Sequence, residues 1–272
     1  MNKIYLVLFL FLKTLLFSEC FDLSTSGASL AGSQTASPDG AGAILYNPAA
    51  VVFFKNNVFT LDYRFRRDVG TNVDRGWYTG FSNPFSSSQI LKGFCFYRRA
   101  EKGGTRTSVA ISFANLVSPS TSIGANIKYI RGPWKEEMRN NASLDIGFDF
   151  YFLNFLSYGL TGQNLANPDM EGFERSLNTG LAITPMKGVL VSADIRDIKW
   201  DREDKSKITL RKAYGLSFNI TNGIILKTGY AWKKTYCGGM EFSVSAQGSL
   251  QYSFMQDENK YSNHNFGINV LF

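Results

Sequence analysis

The chain has 272 residues, a net charge of +7, 15% aromatic residues, 25 Gly, three Cys and a single His, His264. One histidine and no Cys/His cluster exclude the common zinc sites and any histidine-based catalytic triad. Cys95 and Cys237 lie far apart with no CxxC partner and read as free thiols, not as a disulfide framework.

Residues 1–20 open with Lys3, run through apolar Ile4–Leu12 and end on Ser18-Glu19-Cys20. That is the layout of a secretory signal peptide, and it is too short for a spanning helix. Cys20 is a candidate lipidation site, although Glu19 ahead of it is a poor lipobox residue; cleavage near residue 20 without a lipid is the alternative.

Residues 21–56 form the next unit. Leu23–Phe54 is rich in small residues, almost uncharged and does not alternate. Asp39 is placed to cap a short helix starting at Gly40, and Asn47-Pro48 to end it. A segment this apolar and too short to span needs a dry place, and the interior of a barrel supplies one. We read it as a hatch.

Residues 57–272 carry alternating apolar and polar segments. Asn141–Phe152 sets Leu144, Ile146, Phe148, Phe150 and Phe152 against Ser143, Asp145, Gly147, Asp149 and Tyr151. Val58–Phe65 and the final segment, ending at Phe272, repeat the pattern, which is the period of a strand and not of a helix. Similar runs occupy Ser122–Ile130, Leu210–Ile220, Gly223–Trp232, Gly239–Val244 and Gly248–Phe254. In Ile90–Arg98 the alternation is blurred, because Lys92 shares a face with Phe94 and Phe96. Counting segments gives about 14 strands, or 12 if the short Arg75–Phe81 run is not one.

The connections fall into two alternating kinds. Arg66–Arg75, Arg98–Arg106, Arg131–Arg139, Asn164–Arg175, Asp194–Lys207, Lys233–Tyr236 and Met255–Tyr261 hold most of the chain's charge. The six between them, such as Leu153–Leu156 and Ile220–Gly223, are short and carry only Lys187. A soluble sandwich has no reason to sort its connections by parity. A membrane barrel does, because short turns face the periplasm and long loops face outside. The expected fold is an all-β, transmembrane antiparallel β-barrel in the cell outer membrane, with residues 21–56 as a hatch in its lumen. The basic loop Arg98–Arg106 suits anionic lipid head groups, anionic solutes or simple solvation.

On the inward faces stand Asp62, Arg64, Lys128, Asp145, Asp149, Arg211, Lys227 and Glu241, among Ser, Gly and Ala. Charges of both signs between low-polarity walls are expected to pair, Lys227 with Glu241 directly opposite it. Such a network selects solutes or braces the wall and its plug. The carboxylates form no acid/base pair, and the Gly runs are turn chemistry, not phosphate loops. No enzyme activity, cofactor, metal or nucleic-acid partner is expected.

The run Asp39-Gly40-Ala41-Gly42-Ala43-Ile44-Leu45-Tyr46-Asn47-Pro48-Ala49-Ala50 resembles the N-terminal motif of FadL-type transporters of hydrophobic compounds and their PorV-like relatives. Gly159–Pro168 (GLTGQNLANP) resembles the PorV-like branch. The resemblance implies a 14-stranded barrel with an N-terminal hatch, whose gate here is Asp39, Tyr46, Asn47, Pro48 and Ala49. It also implies passive passage of hydrophobic small molecules such as long-chain fatty acids, often out through the wall. The PorV-like alternative is a closed barrel that binds or hands over a secreted protein. Terminal Phe272 resembles the signal read by the barrel assembly machinery. The expected partners are therefore outer-membrane lipid, a hydrophobic ligand and that machinery. The chain departs from the fatty-acid transporters in its short, charged external loops and polar lumen.

Overall fold

The computed structural model describes residues 24–67, 73–83, 91–101, 104–134, 137–166, 170, 173–200, 208–232, 234–258 and 262–272. Residues 1–20, read from the sequence as a signal peptide and holding Cys20, lie outside them.

The described residues form fourteen strands: β1 (Val58–Arg67), β2 (Val73–Ser82), β3 (Leu91–Glu101), β4 (Gly104–Ser118), β5 (Thr121–Trp134), β6 (Glu137–Leu153), β7 (Leu156–Gln163), β8 (Ser176–Met186), β9 (Val189–Trp200), β10 (Ile208–Thr221), β11 (Ile224–Ala231), β12 (Thr235–Ser243), β13 (Gly248–Gln256) and β14 (Ser262–Leu271). Each pairs antiparallel with its sequence neighbours, and β1 pairs with β14, so the sheet closes on itself. Arg75–Phe81 lies within β2, which settles the count at fourteen. Closure leaves no unpaired edge, the condition for a sheet in lipid. The final backbone N–H, on Phe272, donates to the Asn57 carbonyl at 3.0 Å and secures the seam where the chain's end meets β1.

Alternation sorts the two faces. Ile146 and Phe148 are exposed outward while Asp145 and Asp149, which flank them, are buried in the lumen. Trp77, Phe94, Ile127, Leu181, Tyr214 and Phe266, at similar outward positions, are also about half exposed. A continuous apolar belt of this kind needs lipid around it. Among the described residues no helix is long and apolar enough to cross a membrane; the strands cross it.

The charged connections are shorter than their composition suggests. Arg98–Arg106 is mostly strand, since β3 runs to Glu101 and β4 begins at Gly104, and β9 carries on through Asp194 to Trp200. Beyond the apolar belt a strand keeps its hydrogen bonds but has no need of an apolar face, so its outer end reads as a loop. The blurred alternation around Lys92 also has a physical cause. The register of β3 on β4 shifts between Leu91 and Gly93, a bulge that leaves Lys92 as the extra residue and turns it into the lumen.

Inside the barrel the hatch runs from Ser24 to Phe54. It contains helix α1 (Thr25–Ser29), a 3-10 turn (Gly40–Gly42), helix α2 (Ala43–Tyr46) and a second 3-10 turn (Pro48–Phe53). Ser24 caps α1 through its side chain. Gly40 has φ of +59°, a backbone that a side chain rarely tolerates.

Candidate functional site: the hatch and its seam

The hatch lies flat against the wall because the wall gives it glycine to lie on. A Cβ on Gly124 would sit 2.6 Å from the Ala49 nitrogen, and one on Gly147 would sit 2.9 Å from Pro48 Cδ. A Cβ on Gly229 would meet the Leu30 carbonyl carbon at 2.5 Å. These inward glycines replace side chains with hatch backbone, a close approach only glycine permits.

One side of the hatch is held by polar contacts. Ser33 and Ser192 share a hydrogen bond of 2.8 Å between their hydroxyls. The Thr35 N–H donates to Asp194 Oδ2 at 2.8 Å, and Arg196 donates to the Gly32 carbonyl at 2.7 Å. Arg196 also lies over the Tyr46 ring, 5.2 Å from its centroid. Thr25 donates to Asp62 at 2.7 Å. Lys227 is the hub: its Nζ donates to Asp39 at 2.8 Å, Glu241 at 2.9 Å and Ser26 at 2.9 Å.

The gate residues from the sequence motif are spread along this arrangement. Asn47 is fully buried and donates to the carbonyls of Thr35 (2.9 Å) and Phe148 (3.0 Å), while its Oδ1 accepts from the Ala49 N–H (3.1 Å). It therefore closes one helix, opens the next and pins both to β6. Pro48 sits at the first position of the second 3-10 turn, where a missing N–H costs nothing. We expect Asn47→Ala to strip the partner from buried carbonyls and to destabilise the barrel by about 2 kcal/mol, read as a lower denaturant midpoint for the refolded protein. Asp39, placed on sequence grounds as a helix cap, makes no capping hydrogen bond. Its carboxylate turns instead to Lys227, a stronger partner than a lone backbone N–H.

The lumen charges meet in several places. Lys128 bridges Asp145 at 2.6 Å and Arg211 bridges Asp197 at 3.2 Å. Arg64 donates to Asn263 at 2.9 Å. Asp149 is buried near the periplasmic end, with the N–H of Phe150 donating to it at 3.1 Å. Lys227 and Glu241 do meet, but not as direct opposites: the register pairs Lys227 with Gly239 and Glu241 with Ile225, so the contact is diagonal. Asp194 and Arg196, which charge parity assigned to a loop, are hatch anchors. Their signal was the alternation Val191, Ala193 and Ile195 against Ser192, Asp194 and Arg196.

The Lys227 ammonium holds the Asp39 carboxyl below the ordinary aspartate range, helped by hydrogen bonds from Lys227 and Ser26 and opposed by burial. A depressed carboxyl stabilises the fold above its unfolded value, near ~3.9, and loses that contribution as pH falls through the lower folded value. The effect is moderate, because the Asp39 side chain is 46% exposed. Hatch protection from protease should therefore be unchanged from pH 7 to pH 5 and decline only below about pH 4, as followed by limited proteolysis across that range.

The other side of the hatch is apolar. Ala43, Ile44 and Val51 pack with Tyr78, Cys95 and Ala110 of β2, β3 and β4, and Leu45 and Phe54 pack against that cluster. Tyr78 Oη donates to the Ala41 carbonyl at 2.6 Å at the margin of this stretch. The two ends of the cluster open on cavities. Leu45 and Ala110, with Tyr97 and Phe173, line one of about 100 Å³ toward the external side. Phe54, with Val58 and Leu271, lines one of about 270 Å³ at the periplasmic end. The seam between hatch and β2–β4 thus lies, packed shut, between the two cavities.

No protein-family model matches the chain, and no curated protein matches it. Solved structures do. The CymD monoaromatic hydrocarbon channel aligns with a TM-score of 0.67 at 10% identity, over 93% of this chain and 98% of its own. The toluene transporter TodX of Pseudomonas putida aligns at 0.64 and 12% identity, over 93% and 98%. A FadL homologue of Pseudomonas aeruginosa aligns at 0.61 and 10% identity, over 92% and 98%. At these identities the likeness is one of fold. Closed fourteen-stranded wall and internal hatch together give this chain the fold of the FadL-type outer-membrane channels for hydrophobic compounds.

Proposed function

We propose that the protein is a passive outer-membrane channel for hydrophobic small molecules, with the hatch as its gate. The apolar seam carries this reading. A molecule leaving the external cavity beside Leu45 meets Ile44, Val51 and Phe54 before the periplasmic cavity, whereas β1, β6 and β9 hold the hatch by hydrogen bonds and only the small cluster of Ala28 and Ala31 with Ala231, Cys237 and Met255 packs it against β11–β13. Parting the seam breaks the Tyr78–Ala41 hydrogen bond and otherwise exposes the apolar surface of Ile44, Val51, Cys95 and Ala110, which a hydrophobic solute covers again as it passes. Water and ions find no such compensation. The fold shared with hydrocarbon channels supports the same class of cargo. Long-chain fatty acids are the specific substrate we propose, their thin chain suiting a seam more than a pore. No catalytic step is involved, and the C-terminal Phe272, 65% exposed, is offered to the assembly machinery.

The test is transfer of a labelled long-chain fatty acid, and separately of labelled toluene, into vesicles carrying the refolded protein. Saturable transfer well above that of empty vesicles supports the reading. Transfer equal to empty vesicles, from protein shown to be folded, removes it. Toluene moving without the fatty acid would keep the channel and exclude the fatty acid.

A second reading rests on the collar. β4, β5 and β6 run 15, 14 and 17 residues, longer than lipid requires, and their outer ends carry exposed Glu137, Arg139 and Asn140. Such a rim suits the docking of a secreted protein. A partner that co-purifies with the native chain and is lost when residues 135–140 are shortened would favour it.

A further inference from the structure

The outer wall carries a basic cluster that neither the hatch nor the seam uses. Because Arg98–Arg106 is strand rather than loop, its arginines are divided between faces: Arg99 and Arg106 are buried in the lumen, while Arg98 points to the lipid side with Phe94 and Phe96. Arg98 pairs in register with Trp77 on β2 and with Thr107 on β4, and Thr107 pairs with Arg131 on β5. Arg75 stands one pleat above Trp77, on the same outward face. Strands lie about 4.8 Å apart, so Arg98 stands roughly 10 Å from Arg131 and roughly 8 Å from Arg75, in the middle of the three.

Three observations define what this patch fits. Arg75, Arg98 and Arg131 are all exposed, and the described outward positions around them on β2–β6 (Thr105, Thr107, Pro133, Met138, Asn140) hold no carboxylate. Immediately below them are Trp77 and Tyr129, 50% and 49% exposed, the residue types that mark the membrane interface. All of this lies at the external ends of the strands, away from the short turns. A guanidinium at that depth meets head groups, and its planar fork matches phosphate oxygens.

We infer that Arg75, Arg98 and Arg131 form a binding site for an anionic phospholipid of the outer leaflet, with phosphate between the guanidinium groups and acyl chains along Trp77, Phe94 and Ile127. The site holds the lipid against β2–β5, the same sector of wall whose inner face forms the apolar seam. It does not depend on what the seam passes.

The test uses the full refolded chain in uncharged maltoside micelles doped with phosphatidylglycerol, with retained lipid read by native mass spectrometry. Phosphatidylglycerol should be retained about tenfold over phosphatidylcholine at equal mole fraction. The variant R75Q/R98Q/R131Q should lose about tenfold of that retention, while K212Q, outward on the opposite wall, should not. Heat-modified gel migration checks that each variant is folded. Retention unchanged in the triple variant, or lowered equally by K212Q, overturns the site. Displacement by glycerol 3-phosphate at matched concentration would mean that the arginines read free phosphate, and would overturn the lipid assignment.

Discussion

Replacing Lys227 by Met is expected to free the hatch and to cost the barrel about 3 kcal/mol, the lower end of what breaking a buried ion pair costs. The cost is asymmetric. Lys227 is 7% exposed and lies between Asp39 of the hatch and Glu241 of β12, both within 2.9 Å. Removing it leaves two carboxylates facing each other, with Ser249 donating to Glu241 at 2.7 Å and Ser26 and the Gly40 N–H donating to Asp39, the former at 3.0 Å. The partial exposure of Asp39 keeps the cost from rising further. In the triple variant D39N/K227M/E241Q no charge is left, and stability should return to within about 1 kcal/mol of native. Hatch attachment should not, because the ionic link is gone. Denaturant midpoints measure the first quantity and protease sensitivity of residues 24–54 the second. A single Lys227→Met variant as stable as native would show that the hub bears no load.

Overfilling the floor under the hatch gives the second large effect. Gly124→Ala and Gly147→Ala each place a methyl against hatch backbone or against Pro48 and Asn47, with contacts of 2.6 Å and 2.9 Å that no side-chain rotation relieves at Gly124. Overpacking of this kind costs about 1–3 kcal/mol per site. The strand itself is not harmed, since Ala is a fair strand residue and both positions keep their register, Gly124 opposite Gly147. The strain is therefore relieved by lifting the hatch. We expect the double variant to form a barrel, to expose residues 47–50 to protease and to pass hydrophobic solute several times faster. A double variant that fails to close into a barrel at all would mean that the hatch is part of the folding core and not a separable gate.

These two expectations depend on features that differ in how far they could be read from the sequence. The wall was legible. Strict period two in Asn141–Phe152 and the neutral short turns follow from lipid on one side and a filled lumen on the other, and both constraints act locally. The hatch was legible as a segment, because Leu23–Phe54 is too apolar for a tail. Its attachment was not. Lys227 and Asp39 are 188 residues apart, and nothing along the chain says that they meet. Local reasoning misled at three places, at two of them because a long-range partner outcompeted a local one. Asp39 left its cap for Lys227, Lys92 joined the lumen through a bulge, and Asp194 and Arg196 extended a strand to reach the hatch. The apolar seam was hidden more deeply still. Cys95 and Ala110 are ordinary wall residues until Ile44 and Val51 are laid against them.

The central claim is that the hatch moves for a hydrophobic molecule to pass. Ser33 and Ser192 have their hydroxyls 2.8 Å apart, one on the hatch and one on β9, which makes S33C/S192C a reversible clasp. The account predicts that vesicles carrying the oxidised variant transfer labelled fatty acid no faster than empty vesicles, and that reductant restores the native rate. Equal transfer by the oxidised and reduced forms, with the clasp shown to be closed, would contradict it.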